Sequence, residues 1–155
     1  MISMAILAVG KLKEKYWRDA VQEYSKRLSS YANLTIYEVA DVPEGKGDER
    51  IKAEEGERLL ALLHERDYII VLDRIGKQTT SEGFAKHLDE LSSFHSGRIV
   101  FIIGGSIGLH DRVLEKAHQR LSFSQFTFAH QLMRVILLEQ IYRAFRIQTG
   151  APYHK

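Results

Sequence analysis

Three glycines directly after an apolar run are the first candidates for chemistry in this sequence. The run Ile99–Ile103 leads into Gly104, Gly105 and Gly108. Five successive apolar residues are typical of a strand buried on both faces, and open α/β sheets bind ligands at the carboxyl ends of such strands. Glycine has no Cβ, so its backbone amides can approach a ligand closely. The pattern favours a ligand-binding turn and a plain strand-to-helix turn about equally.

The position and spacing of these glycines exclude the common nucleotide-binding motifs. The stretch Gly-Gly-Ser-Ile-Gly lacks the G-x-G-x-x-G spacing, and no stretch matches the P-loop pattern G-x-x-x-x-G-K-[ST]. Dinucleotide folds and the commonest methyltransferase fold carry their glycine turn after the first strand. The first strand here ends in Val9-Gly10-Lys11, without such a turn. A ligand held by the glycines therefore belongs to a fold that binds it with its last third.

The composition is that of one globular domain without thiol chemistry. The chain has 155 residues, of which 45% are apolar, so it can bury a substantial core. The absence of cysteine excludes disulfides, thiolate metal sites and cysteine nucleophiles. No basic region precedes the apolar start, and no apolar run approaches the roughly 20 residues of a membrane helix. We therefore expect a cytoplasmic protein without a membrane partner. The net charge of +2 neither demands nor excludes a nucleic-acid partner.

Strand and helix patterns alternate five times along the chain. The predicted strands are Ile2–Val9, Leu34–Val39, Tyr68–Leu72, Ile99–Ile103 and, as a strand or extended loop, Leu121–Phe128. The predicted helices are Tyr16–Leu28, Glu49–Arg66, a helix capped by Ser81 with Phe84, Leu88 and Leu91 on one stripe, Asp111–Arg120 and Gln131–Gln148. Such alternation indicates an α/β fold with a mainly parallel sheet flanked by helices. No linker or repeat interrupts it, so residues 1–155 are predicted to form a single domain.

Six motifs, spread in order over the whole chain, resemble those of the RlmH (YbeA) family of SPOUT methyltransferases. They are Ala8–Lys11, Ile103–Leu109, Leu121–Ser124, His130–Val135, Glu139–Ala144 and Pro152–Lys155. The resemblance implies a SPOUT fold whose C-terminal part, about residues 68–155, forms a trefoil knot that binds the cofactor. It also implies that S-adenosyl-L-methionine methylates N3 of a pseudouridine in 23S ribosomal RNA, within the large subunit or the assembled ribosome. DNA is not expected as a partner.

The same resemblance assigns the cofactor to three loops. The matching positions are Leu72, Gly104 and the run Phe123, Ser124, Gln125, Phe126, Thr127 and Phe128. Adenine is flat and requires apolar walls with a few backbone hydrogen bonds, which loops at strand ends can supply. Taken without the family, Leu72 and the three phenylalanines would be read as ordinary core residues. We expect backbone groups to make many of the contacts.

The last predicted helix is apolar nearly all round, which is typical of a helix buried on several sides. SPOUT proteins are generally homodimers through this region, and we predict a homodimer here. Glu139 and Arg143 are spaced to form an ion pair, either as a structural pair at that interface or with Arg143 facing RNA or the mouth of the active site. A local excess of basic residues in the last third makes Arg134 and Arg143 candidate RNA contacts, and Lys11 is a further candidate. Solvation of the surface would explain the same excess.

The C-terminal tail supplies candidate catalytic residues. An activated methyl donor requires no metal, but the imide N–H of the acceptor must lose its proton. The candidates for binding the substrate or removing this proton are His154, Tyr153 and Glu139, with Tyr142 as a further proton acceptor and Arg143 beside them. A frayed terminus is the alternative reading of the tail.

Two positions depart from the family pattern, and two other functions stay open. Ala129 stands where proline is common, and Ile107 stands where polar residues are frequent. Neither removes an obvious chemical group, although alanine would make its loop less stiff than proline does. The alternatives are a SPOUT enzyme that acts on another RNA, such as tRNA, and a non-catalytic dimer that binds ribosomes.

Overall fold

The computed structural model describes residues 1–155 and shows five strands and five helices in strict alternation. The strands are β1 (Ile2–Val9), β2 (Ala32–Val39), β3 (Tyr68–Gln78), β4 (Ile99–Ile103) and β5 (Gln119–Ser122). The helices are α1 (Lys15–Leu28), α2 (Asp48–Leu60), α3 (Ser81–Phe94), α4 (Asp111–Lys116) and α5 (His130–Gln148). None of these helices combines the length and the apolar character needed to cross a bilayer.

The five strands form one parallel sheet in the order β2-β1-β4-β3-β5. This confirms the predicted α/β fold with a parallel sheet flanked by helices. Strands β1 and β4 lie in the middle, and β4 is fully buried along its five residues. Because every strand runs the same way, all carboxyl ends meet at one edge of the sheet, where the glycine turn follows β4.

Alternate residues of the central strands pack against helices on opposite faces. Met4 and Ile6 belong to the core beneath α1, α3 and α5, whereas Ala5 and Leu7 belong to the core beneath α2 and α4. Helix α5 packs against both α1 and α3. The sheet is therefore buried on both sides, as the continuous apolar runs predict.

A buried ion pair joins the amino ends of β3 and β4. The Asp67 carboxylate accepts hydrogen bonds from Arg98 Nε (2.9 Å), Arg98 Nη2 (2.7 Å) and the amide of His64 (2.7 Å). Arg98 Nη2 also donates to the carbonyl of Leu62 at 3.1 Å. Burial alone would raise the pKa of Asp67, but the hydrogen bonds from Arg98 and His64 outweigh it and lower the pKa.

Several predicted boundaries were wrong. Helix α2 ends at Leu60 rather than Arg66. The amides of Leu62 and Leu63 donate to carbonyls three residues back, which tightens the last turn, and the His64 amide donates to the Asp67 carboxylate. Helix α4 ends at Lys116, so β5 begins at Gln119 and the chain after Ser122 is loop. Thr80, not Ser81, caps α3 through a 3.0 Å bond from the Gly83 amide.

Strand β3 continues six residues beyond Leu72, to Gln78. Leu121 of β5 pairs first with Leu72 and then with Lys77, so the residues between them bulge out of the ladder. A Cβ on Gly76 would lie 2.6 Å from the carbonyl oxygen of Arg120, and only glycine allows the two backbones to approach so closely. The bulge projects Asp73, Arg74 and Ile75 beside the glycine turn.

Candidate functional site

A cavity of about 800 Å³ opens at the carboxyl ends of β3 and β4. We call it the first cavity. Its walls come from the end of β3 and its bulge, the turn after β4, the loop after β5 and the start of α5. Seven of the eight predicted cofactor positions line it, namely Leu72, Gly104, Phe123, Ser124, Phe126, Thr127 and Phe128. Gln125 is the one that does not.

The turn after β4 folds back tightly on itself. Gly108 has a φ of +89° and its amide donates to the carbonyl of Gly105 at 3.1 Å. A Cβ on Gly104 would lie 3.0 Å from both the carbonyl carbon of Gly108 and Leu109 Cγ. A side chain at 104 would therefore crowd the turn, and with glycine the backbone itself forms this wall of the cavity.

The loop after β5 is held by its serines. Ser122 Oγ lies 2.9 Å from the carbonyls of both Arg74 and Ser124, and Ser124 Oγ accepts a hydrogen bond from the Phe126 amide at 2.9 Å. These bonds fix the loop beside the bulge of β3. Phe126 and Ile75 stand at the rim with 79% and 78% of their surfaces exposed. Exposed apolar side chains on two loops of one cavity are typical of a ligand site.

The first cavity has the composition that a nucleoside ligand requires. Leu72, Leu109, Leu114, Leu121 and Met133 supply apolar walls for a flat ring, and backbone groups of the glycine turn border it. Charged side chains from Lys52, Asp73, Arg74 and Asp111 also line it. These residues fit S-adenosyl-L-methionine, whose adenine is flat and whose methionine part carries a carboxylate, an ammonium group and the sulfonium.

A second cavity of about 380 Å³ lies beyond the glycine turn. It shares Gly105, Ser106, Ile107 and His130 with the first cavity. The loop after β2 and helix α2 supply its other walls, with the carboxylates of Asp41, Glu44, Asp48 and Glu55 but no lysine or arginine. Sequence reasoning did not find this site.

Glu55 is the unusual group in the second cavity. The residue is 5% exposed, and its Oε2 accepts a 3.0 Å hydrogen bond from the Val42 amide, but its buried Oε1 has no partner. Burial raises the pKa of the Glu55 carboxyl. The sequence did hold a signal, because Glu55 stands four residues from both Ile51 and Leu59, on the buried stripe of α2.

His130, the first residue of α5, lines both cavities. Burial and the neighbouring charge of Arg134 lower the pKa of His130, which favours a neutral imidazole. Ala129 precedes it with a φ of −55°, close to the value that proline would fix. The backbone at this position would therefore accommodate proline.

The four candidate catalytic residues lie together. Arg143 Nε donates to Glu139 Oε1 at 3.1 Å, which confirms the predicted ion pair, and the Arg143 guanidinium stacks over the Tyr153 ring at 4.7 Å. Arg143 Nη1 lies 3.1 Å from His154 Nδ1, and His154 Nε2 lies 2.5 Å from Glu82 Oε1. Because arginine can only donate, Nδ1 of His154 accepts here and its Nε2 carries the proton toward Glu82.

This tail cluster of Glu82, Glu139, Arg143, Tyr153 and His154 lines neither cavity. The last α5 residue in the first cavity is Met133, and Glu139 lies about 9 Å further along the helix axis. Within one chain the cluster and the cavities are therefore separate features.

The candidate RNA contacts differ in exposure. Lys11 is exposed, and Arg143 is partly exposed within the tail cluster. Arg134 is 1% exposed, with Nη1 2.5 Å from Glu38 Oε2 and Nη2 donating to the carbonyl of Gly10 at 3.1 Å. The interpretation of Arg134 as an RNA contact was wrong, because its guanidinium is buried and ties α5 to the carboxyl ends of β1 and β2.

Helix α5 carries an apolar strip that the chain does not cover. Leu132, Val135 and Ile136 are partly exposed, and they belong to neither core. Their spacing of three and four residues places them on one side of the helix. Such a strip on an ordered helix is typical of a protein contact surface.

Comparison with known proteins agrees with this architecture. The family model described as "Predicted SPOUT methyltransferase" matches residues 2–154. A protein of Methanococcus maripaludis (strain C5), named "Putative ribosomal RNA large subunit methyltransferase H", is 51% identical to the chain. The alignment covers 99% of this chain and 100% of that protein. With a family match from end to end and a parallel sheet whose glycine turn borders a nucleoside-sized cavity, this chain belongs to the SPOUT methyltransferase family.

Proposed function

We propose that this protein methylates N3 of a pseudouridine in 23S ribosomal RNA with S-adenosyl-L-methionine as the donor. The observation that carries the proposal is the first cavity, which brings seven of the eight predicted cofactor positions together at the carboxyl ends of β3 and β4. The name of the 51% identical relative supports ribosomal RNA as the substrate class. Action on ribosomes would make the protein cytoplasmic.

The residues of the first cavity bind and orient the donor. Leu72 and Phe123 offer apolar surface to adenine, while the backbone at Gly104 approaches the ligand without a side chain. S-adenosyl-L-methionine supplies a methyl group that is already activated, so the protein has mainly to position the acceptor nitrogen and accept its proton. We include in the proposal that residues 68–155 form the trefoil knot of the family around this cavity.

We propose that the active protein is a homodimer through α5. The strip of Leu132, Val135 and Ile136 offers an apolar contact, and Glu139 and Arg143 follow it along the helix. The tail cluster does not reach the cavities of its own chain. A catalytic role for Tyr153 and His154 therefore requires that they serve the cavity of a second subunit or move when RNA binds.

His154 must change its contacts to act as a base. In the observed arrangement its free lone pair on Nδ1 is directed at Arg143, so it cannot accept a proton from a substrate. Release from Arg143 by bound RNA would free this nitrogen. Lys11 and Arg143 are the remaining candidates for phosphate contacts.

Mass spectrometry of RNA from a strain that lacks the gene tests the function. Loss of one methyl group from a pseudouridine of the large-subunit RNA, restored by the purified protein and donor, is the expected result. Loss from tRNA would instead indicate another RNA substrate, and no loss from any RNA would indicate a non-catalytic ribosome-binding protein.

A truncation separates the role of the tail from that of the first cavity. Removal of residues 153–155 should abolish methylation of ribosomes while the affinity for S-adenosylhomocysteine, measured by calorimetry, stays unchanged. Full activity of the truncated protein would show that the tail cluster has no part in the reaction.

A further inference from the structure

We propose that the second cavity receives the acceptor base and that Glu55 selects pseudouridine over uridine by accepting the hydrogen bond of its N1–H. The inference rests on the proposed function and goes beyond it, since it assigns a specificity-determining residue. None of the predicted site residues lines the second cavity.

The lining of the second cavity suits an uncharged base and excludes phosphate. Val9, Val42, Pro43 and Ile51 form apolar walls, and several glycines leave backbone exposed between them. The charged groups in the lining are acids, so a phosphate would meet repulsion on every side. A cavity of about 380 Å³ falls in the range of small-ligand sites, and enzymes that modify a base generally take it out of its stack into such a pocket.

The unpaired Oε1 of Glu55 is the feature that indicates a ligand. Buried acceptors without a partner are uncommon in native proteins, and each one calls for an explanation. The Val42 amide fixes the carboxylate through Oε2, so Oε1 has a set direction. Oε1 lies 3.3 Å from the position of a Cβ on Gly105, and this places it at the wall shared with the first cavity.

Pseudouridine and uridine differ in the group that Oε1 would meet. In uridine, N1 carries the ribose and has no hydrogen, and the ring position that would face Oε1 is C5–H. In pseudouridine the ribose is attached through carbon, so N1–H is a free donor. A carboxylate accepts a hydrogen bond from N1–H, and a base that lacks this N–H cannot form that bond. Glu55 would therefore favour pseudouridine without touching N3.

The placement of the two cavities agrees with this orientation. N1 and N3 of the ring are separated by a single carbon. A base held by N1–H at Glu55 therefore presents N3 close by, next to the shared wall of Gly105, Ser106 and Ile107. Methyl transfer requires that the acceptor and the donor approach to about 3–3.5 Å, so adjoining cavities are what the reaction needs.

Glu55→Gln tests the proposal, with Glu57→Gln on the same helix as the matched control. Glu57 is exposed and lies 3.7 Å from Arg112, away from both cavities. In Glu55→Gln the amide oxygen must face the Val42 N–H, so the amide NH₂ faces the base and meets N1–H with a second donor. The substrates are ribosomes that carry pseudouridine or, from a strain lacking the pseudouridine synthase, uridine at the acceptor position.

We expect Glu55→Gln to lower kcat/KM on pseudouridine ribosomes on the order of 10- to 100-fold, to leave the rate on uridine ribosomes unchanged and to leave the affinity for S-adenosylhomocysteine unchanged. Glu57→Gln should change none of these. A preserved preference for pseudouridine would overturn the inference while leaving the proposed function intact. A parallel loss of affinity for S-adenosylhomocysteine would overturn it by assigning the second cavity to the donor, and absence of methylation by the unsubstituted protein would overturn both.

A second measurement needs no substitution. In ¹⁵N-labelled protein saturated with S-adenosylhomocysteine, added pseudouridine nucleoside should shift the amide resonance of Val42, which shares the Glu55 carboxylate, and added uridine should not. Equal shifts with both nucleosides, or none with either, would contradict the assignment.

Discussion

Asp67 and Glu55 are both buried carboxylates, with 4% and 5% of their surfaces exposed, but their surroundings differ. Asp67 lies at the amino ends of β3 and β4, and both of its oxygens are hydrogen-bonded, with Arg98 as the counter-ion. Glu55 lies near the carboxyl ends of the strands, and one of its oxygens has no hydrogen bond. The charge of Arg58 offsets only part of the effect of burial on the pKa of Glu55. The same chemical group is thus fully hydrogen-bonded at one end of the sheet and keeps an unpaired oxygen at the other.

The difference follows from what each end of the sheet has to do. A buried charge is stable only if its hydrogen bonds are complete, and Asp67 meets that condition within the chain. At the carboxyl ends of the strands, loops cover the edge of the sheet, and residues at this edge of an open α/β sheet are generally accessible to ligands. The pKa directions record the contrast, since the pKa of Asp67 is lowered and that of Glu55 is raised.

The largest expected effect on stability comes from removing the Asp67 carboxylate. Asp67→Ala leaves the partly buried Arg98 without its counter-ion and the His64 amide without its acceptor, and this loss of charged hydrogen bonds costs about 2 kcal/mol or more of the free energy of unfolding. Urea denaturation monitored by circular dichroism measures it. The control Asp89→Ala, on the exposed side of α3, should change stability by less than about 0.5 kcal/mol. A loss of stability as small as that of Asp89→Ala would contradict the structural role assigned to Asp67.

The pH dependence of stability should have opposite signs at the two sites. The folded pKa of Asp67 lies below its ordinary 3.8, so its stabilisation is present above that pH and is lost as the pH falls through the folded pKa. The folded pKa of Glu55 lies above its ordinary 4.5, so a penalty develops as the pH rises above 4.5 and is complete above the folded pKa.

Two amide variants separate these contributions. Relative to the unsubstituted protein, Asp67→Asn should lose most stability at neutral pH and least in acid. Glu55→Gln should gain relative stability as the pH rises from 4.5 toward neutrality. Urea denaturation at several pH values gives both curves, and parallel curves for the two variants would refute the assignment.

The smallest effect is expected at the start of α5. Ala129 has a φ of −55°, and its amide donates no hydrogen bond to another backbone group. Ala129→Pro should therefore raise the free energy of unfolding by about 0.5 kcal/mol, since it restricts the unfolded chain without loss in the folded one. Thermal denaturation detects such a change, and destabilisation would mean that the loop before α5 has a different conformation.

Local patterns predicted most of the fold, because the periods of apolar residues reflect burial directly. Ile99–Ile103 was identified from its sequence alone, as was the apolar character of α5. The extension of β3 beyond Leu72 escaped prediction, because it depends on pairing with β5 about 45 residues later. Sequence motifs placed seven positions of the first cavity through family resemblance, not through their physical properties.

Counting the charges in a local stretch of sequence gave a wrong prediction where the ion-pair partner is distant in the sequence. Arg134 contributes to a local excess of basic residues. Its partner Glu38 is 96 residues away in the sequence, so a local count of charges does not show that the guanidinium is paired and buried. Glu55 was missed for the converse reason. A carboxylate on the stripe of Ile51 and Leu59 is visible in the sequence, but only the folded chain shows that its second oxygen has no partner.

The most direct test of the account is the binding of S-adenosylhomocysteine, measured by titration calorimetry. The protein should bind one molecule per chain, and Gly104→Val, folded by circular dichroism, should lose at least about 100-fold in affinity, or about 2.8 kcal/mol. A side chain at 104 collides with the turn at Gly108 and enters the wall of the first cavity. Gln125→Ala, at the one predicted position outside the lining, should bind like the unsubstituted protein. Equal affinity of Gly104→Val and the unsubstituted protein would contradict the assignment of the first cavity to the donor.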